Sequence, residues 1–270
     1  MIKQLIKKIA YPMIKSRPDF LIIGTQKGGS TSLYRYLSQH RQIFKNNSWK
    51  EIQYFDRTDN YSKGFGWYLG NFPSKVDKQD KLTCDASPSY IYFENIPKLI
   101  KQDLGEIKMI AILRNPVSRA YSAWHMYHSF GDNPHKHLRE ITDPRDFADA
   151  INQELDGNFQ NVKYPYDYIN RGEYVNQLEN YYNYFNKDSL LVLNFDLFKQ
   201  DLDGMLNSVC DFLNIERFDR AVLDEFKIKK HNVGKYDKST ADEEVMEPLK
   251  DYFNPFNEKL YHLLGERYNW

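Results

Sequence analysis

The chain has 270 residues, 41% of them hydrophobic and 27% charged, an ordinary globular composition that excludes disordered, collagen-like and coiled-coil chains. Lysine plus arginine and aspartate plus glutamate balance at 37 each, so no global field draws the chain to nucleic acid and any polyanion site must be local. The two cysteines, Cys84 and Cys210, are far apart and outside any metal-ligand spacing; they exclude a disulfide framework and fit a reducing compartment, so a cytoplasmic location is expected.

Met1 to Lys15 places Ile2, Leu5, Ile6, Ile9 and Met13 at helical spacing, with Lys3, Lys7, Lys8 and Lys15 between them. Residues 1–17 are therefore expected to form a basic amphipathic helix or extension. Its apolar stripe either docks on the domain, the simpler alternative, or lies on an anionic membrane surface. No apolar run reaches the length of a membrane span, and the N-terminus lacks the apolar stretch of a signal peptide, so a soluble chain is expected. Residues 18–270 are expected to form one domain. Its 21 Tyr and 17 Phe are expected mostly in the core.

Asp19 to Gly24 is a short apolar run ending in glycine, a predicted strand, and Ser32 to His40 follows with Leu33, Tyr34 and Leu37 at helical spacing. Further strands are predicted at Lys81 to Asp85, ended by Ala86-Ser87-Pro88, and at Ile107 to Leu113, ended by Arg114-Asn115-Pro116. Helices are predicted over Val117 to Ser129, Asp146 to Leu155 and Glu173 to Phe185, a long surface loop over Gly131 to Pro144, and a strand over Ser189 to Phe195. This alternation gives an α/β fold with a central, mostly parallel sheet flanked by helices. In such sheets ligands sit beyond the carboxyl ends of the strands, so Gly24-Thr25, Asp85-Ala86 and Arg114-Asn115 are expected to share one crevice.

Gly24-Thr-Gln-Lys-Gly-Gly-Ser-Thr-Ser32 lies between predicted strand and helix, where backbone N–H groups and a helix N-terminus form an anion site. Gly28 and Gly29 let the backbone close on an oxyanion, and Thr31 and Ser32 are expected to cap the helix and donate hydroxyl hydrogen bonds. A nucleotide triphosphatase loop needs Lys directly after its second glycine, but Ser30 stands there and the lysine, Lys27, sits inside the loop. The Asp that would hold Mg²⁺ at a strand end is replaced by Arg114. Eight residues on, Ser122 adds a donor to the planar fork of Arg114, a pair suited to a second phosphate.

With these two segments the chain resembles the PAPS-dependent sulfotransferases, above all the heparan sulfate N- and 3-O-sulfotransferase branch and its bacterial relatives, from Asp19 to Trp270. The resemblance implies a P-loop-like PAPS-binding fold. Gln26, Lys27, Gly28, Gly29, Ser30, Thr31 and Ser32 would hold the 5′-phosphosulfate of 3′-phosphoadenosine 5′-phosphosulfate (PAPS), and Arg114 with Ser122 its 3′-phosphate. Glu51-Ile-Gln-Tyr-Phe resembles the segment with the family's catalytic glutamate, which makes Glu51 the general base, with Lys27 as its electrophilic partner. Three departures stand out: Asp85-Ala86-Ser87-Pro88 lacks a family lysine, a cysteine pair is absent, and the nucleotide-covering segment is echoed only by Lys230 to Lys235, with Lys235 as the candidate contact.

Asp56, Asp85 and His125 are candidate acceptor contacts; the two aspartates could instead cap turns. His125, His128, His135 and His137 invite a metal reading, but no acidic or Cys ligand motif accompanies them, and no metal is expected. The expected activity is sulfuryl transfer from PAPS to a hydroxyl or amine of an acceptor, a carbohydrate or glycolipid. The alternatives are a P-loop kinase using ATP and Mg²⁺, which the misplaced lysine and missing Asp oppose, and a nucleotide-binding module without catalysis.

Overall fold

Four short strands, β1 (Phe20–Gly24), β2 (Cys84–Ala86), β3 (Lys108–Leu113) and β4 (Leu190–Asn194), pair in parallel in the order β2-β1-β3-β4. They belong to a computed structural model that describes residues 10–45, 50–157, 166–228 and 239–270. Eight main helices accompany them: α1 (Ser30–Leu37), α2 (Ile96–Leu104), α3 (Pro116–His128), α4 (Phe147–Leu155), α5 (Tyr174–Tyr182), α6 (Leu202–Leu213), α7 (Arg220–Ile228) and α8 (Thr240–Leu264). The parallel sheet agrees with the alternation of the sequence. Among the described residues no helix is long and apolar enough to cross a membrane.

The chain divides into two compact units, one built from residues 1–113 and 179–231, the other from 114–178 and 232–270. The sheet lies in the first. All five residues of β1 and five of the six of β3 are buried, the pattern of strands covered on both faces rather than of an alternating surface sheet. Phe20 and Ile22 of β1 and Ile110 and Ile112 of β3 pack with Leu33 and Leu37 of α1 and with Leu206 and Val209 of α6. On this frame the carboxyl ends of β2, β1 and β3 stand side by side.

Several boundaries differ from expectation, as in α1, which runs over Ser30–Leu37 rather than Ser32 to His40. Lys81 to Thr83 does not extend β2, because Leu82 exchanges backbone hydrogen bonds with Gln42 and Phe44, and Thr83 N donates to the Asp19 carboxylate at 2.7 Å. The loop over Gly131 to Pro144 contains a helical turn, Lys136–Arg139.

In the second unit, Phe147, Ala150 and Ile151 of α4 pack with Tyr121 and Trp124 of α3 and with Val245, Leu249 and Phe253 of α8. Helix α8 opens with a capping box, in which Ser239 and Asp242 satisfy each other's backbone N–H, and closes at Gly265 in the left-handed region (φ 70°). Pro248 and Pro255 interrupt it seven residues apart, both on the exposed face, where water can serve the carbonyls they leave unbonded.

Candidate functional site

The phosphate loop is shaped by its backbone. Thr25 N donates to Ile112 O of β3 at 2.9 Å, and Gly28 N donates to Thr25 O at 2.9 Å, so the chain turns tightly as it leaves β1. Lys27 (φ 65°) and Gly29 (φ 99°) are both left-handed, an alternation of the kind found in anion-binding nests, with the Gly28 amide between them already bonded to Thr25 O. A Cβ at Gly28 would lie 2.4 Å from Ile112 O, and one at Gly29 2.8 Å from the Phe195 ring, so neither site has room for a side chain. Gly29 is the N-cap of α1 and no side chain caps that helix. Thr31 and Ser32, expected as caps, instead sit inside the first turn. Capping by Gly29 leaves the helix N-terminus suited to an anionic ligand.

Glu51 joins this loop through a residue that the sequence did not single out. The Lys50 ammonium donates to Thr31 Oγ1 at 2.5 Å and to Glu51 Oε1 at 3.1 Å, bridging the candidate base and the first turn of α1. Its one signal in the sequence is a cation directly before a candidate base. Behind Glu51 the backbone rests on a buried carboxylate. Gln53 N donates to Ser87 Oγ (3.2 Å) and Tyr54 N to the Tyr90 hydroxyl (3.0 Å). Those hydroxyls donate in turn to Asp85 at 2.7 and 2.8 Å, and Tyr68 adds a third at 3.2 Å.

Asp85 is 1% exposed, and both its oxygens accept from within the protein. Of its two candidate roles, contact with an acceptor or bracing of a turn, the geometry favours bracing. Burial pushes its carboxyl up to about 6, although the three hydroxyls hold it down. Asp56, at the far end of the same segment, accepts from the Ser89 hydroxyl through Oδ2, while its buried Oδ1 has no hydrogen-bond partner among the described residues. Burial raises its carboxyl as well. The first unit thus brings together residues 26–32, Glu51, Asp56 and Asp85.

Arg114, Ser122 and His125 belong to the second unit. Arg114 follows directly on β3, and its carbonyl accepts from the Tyr174 hydroxyl at 2.8 Å. Asn115 Oδ1 caps α3 by accepting from Ser118 N at 3.0 Å, with Pro116 in the first helical position. Ser122 lies on the buried side of α3. The His125 ring meets the Tyr121 ring edge-on at 4.6 Å, and burial lowers its imidazole below the ordinary value. His128 Nδ1 lies 3.0 Å from Asp143 O. Among the described residues no group of three or more His, Cys, Asp or Glu could hold a metal ion. Lys230 and Lys235 fall outside the described residues.

Known proteins are similar to this chain along most of its length. Mouse heparan sulfate glucosamine 3-O-sulfotransferase 5 is 26% identical over 276 residues, covering 96% of this chain and 76% of its own. A bifunctional heparan sulfate N-deacetylase/N-sulfotransferase of Caenorhabditis elegans is 32% identical over 210 residues, covering 76% of this chain but 23% of its own length. The crystal structure of a sulfotransferase from Alicyclobacillus acidocaldarius superposes with a TM-score of 0.71 at 22% identity, over 94% of this chain and 98% of that one, and shows the shared fold. The family model for the sulfotransferase domain matches residues 17–257, and the chain belongs to that family.

Proposed function

We propose that this sulfotransferase moves a sulfuryl group from PAPS to a hydroxyl or amine of a carbohydrate acceptor. The observation that carries the proposal is the Lys50 bridge, which ties the candidate base to a left-handed, glycine-closed loop at a helix N-terminus. The loop fits a 5′-phosphosulfate because Gly28 and Gly29 clear side chains from the backbone that would line it. PAPS, when bound, supplies an activated sulfuryl group on a phosphate leaving group. Residues 26–32 bind its 5′ side, and Arg114 with Ser122 its 3′-phosphate. Lys27 places positive charge where the leaving phosphate oxygen becomes negative. Glu51 takes the proton from the acceptor as its oxygen or nitrogen bonds to sulfur and the bond from sulfur to phosphate oxygen breaks. Relatives named as a heparan sulfate glucosamine 3-O-sulfotransferase and a heparan sulfate N-deacetylase/N-sulfotransferase support an amino sugar acceptor.

The kinase alternative fits less well. Ser30 follows Gly29, Arg114 follows β3, and the strand-end carboxylate that is present, Asp85, has its oxygens occupied by three hydroxyls. Two measurements test the proposal. Adenosine 3′,5′-bisphosphate without metal should stabilise the protein by about 2.7 kcal/mol at about a hundredfold its dissociation constant. Labelled sulfate should pass from PAPS to an unsulfated or N-sulfated glucosamine-containing polysaccharide. Equal stabilisation by ATP with Mg²⁺, or labelling of non-carbohydrate acceptors alone, overturns it.

A further inference from the structure

Four large hydrophobic side chains are conspicuous for their exposure among the described residues: Met13 (73%), Ile14 (55%), Val76 (83%) and Tyr184 (37%). Three of the four form one patch. Lys15 pairs with Ser74 in an antiparallel bridge and Ser16 N donates to Pro73 O at 3.0 Å, which brings the end of the helical turn over 10–14 and the start of the one over 75–78 to the same pairing. The inner side of the same turn is fixed. The Tyr11 ring lies so close to Gly70 that a Cβ there would be 2.9 Å from it, and Lys15 Nζ donates to Phe72 O at 2.8 Å. Met13 and Ile14 are therefore held on the outer side of a docked turn. Met13 is the member of the amino-terminal apolar stripe that falls among the described residues, and its side chain is exposed.

Cations rim the patch. Arg17 and Lys75 are exposed, and with Lys78 and Asp19 they line an adjoining groove of about 310 Å³. The acids nearby are engaged: Asp19 pairs with Lys78 at 2.9 Å, Asp77 accepts from the Ser74 hydroxyl at 2.6 Å, and Asp103, within electrostatic reach of Arg17, accepts from the Tyr54 and Tyr61 hydroxyls. The nine residues that lead into the turn carry Lys3, Lys7 and Lys8 and no acid. A second copy docked by two-fold symmetry would set these like charges against each other, whereas an anionic bilayer complements both the apolar centre and the basic rim.

We propose that this patch docks the protein on an anionic lipid surface, with Met13, Ile14 and Val76 entering the interface and Arg17 and Lys75 facing the headgroups. It lies at the amino end of β1 and the phosphate loop at the carboxyl end, so lipid contact leaves the loop open. The inference does not depend on the identity of donor or acceptor.

The test is co-sedimentation of the full chain with phosphatidylcholine vesicles, with and without about 30 mol% phosphatidylglycerol. Wild type should pellet with the anionic vesicles, weaken as salt rises, and still bind adenosine 3′,5′-bisphosphate there as it does in solution. A variant carrying Met13→Ser, Ile14→Ser and Val76→Ser, whose exposed positions leave the core intact, should lose at least about tenfold in partitioning, and Lys75→Glu a smaller factor. Thermal unfolding like that of wild type confirms that each variant is folded. Equal binding to neutral vesicles, no binding, or a triple variant that pellets like wild type overturns the proposal. So does a wild-type dimer in light scattering that the triple variant abolishes, which would give the patch to a second copy.

Discussion

Replacing Asp85 by Asn removes a titrating group from the centre of the network beneath Glu51 while nearly keeping its shape. Burial raises the folded carboxyl from its ordinary 3.8 to about 6. Between those values the folded state holds a proton that the unfolded state has released, so wild-type stability falls as pH rises through the window. The contribution is fully present below the unfolded value and gone above the folded one. At about 1.36 kcal/mol per unit, this amounts to an upper bound of about 3 kcal/mol. Glu154, which burial raises to about 8, adds a fall of the same sign, but it is common to both proteins and cancels in their difference. The Asn variant also carries a pH-independent cost of about 1–3 kcal/mol, because its amide cannot accept from all three hydroxyls. Urea unfolding of both proteins at steps from about pH 4 to about pH 7.5 reads the difference. The stability of wild type relative to Asp85→Asn should decline toward higher pH. A difference that stays constant over this range refutes the assignment of the buried charge.

Other outcomes follow from the same geometry. Glu51→Gln should bind PAPS nearly as wild type does while labelled-sulfate transfer falls about 10²–10⁴-fold, and activity within a few-fold of wild type removes Glu51 from the mechanism. Gly28→Ala forces a Cβ to within 2.4 Å of Ile112 O and 2.5 Å of Thr25 Cγ2. Denaturant unfolding should show a loss of about 1–3 kcal/mol, and calorimetry a larger proportional loss of bisphosphate binding. Arg114→Ala should weaken bisphosphate binding by about 1.5–3 kcal/mol in the same titration, and unchanged affinity moves the 3′-phosphate site elsewhere.

The part of the site legible in the sequence is the part made by local backbone. Gly24, Gly28 and Gly29 punctuate a strand and a helix, and their spacing led to the loop that the structure contains. The capping of α1 was misplaced because glycine and hydroxyl residues compete for that position, and the left-handed Gly29 takes it with no side-chain help. Helix α8 carries Pro248 and Pro255, residues that ordinarily end a helix; their exposure, which makes them tolerable, is a tertiary fact. Asp85 was found as a strand-end acid, but its task depends on Tyr68 and on hydroxyls that hold Gln53 and Tyr54, more than thirty residues upstream of Ser87 and Tyr90. Lys50 reaches Thr31 across 19 residues. Such pairings appear once the chain is folded, and no periodicity announces them.

The two halves of the first unit's site are held by different physics. The loop depends on backbone geometry and on the absence of side chains at Gly28 and Gly29, so its shape is set before any ligand arrives. The backbone behind Glu51 is fixed just as firmly by hydroxyls on Asp85, yet the Glu51 side chain is 44% exposed and its partner Lys50 25% exposed. An ion pair so open to water contributes about 0–1 kcal/mol to stability. Its value is therefore positional: a rigid backbone places the carboxylate beside the first turn of α1, and one ammonium shared with Thr31 sets its direction while leaving it free to turn toward an acceptor. A candidate base built this way can be changed without loss of fold, which is why Glu51→Gln tests turnover apart from binding more cleanly than any change at Asp85 or Gly28.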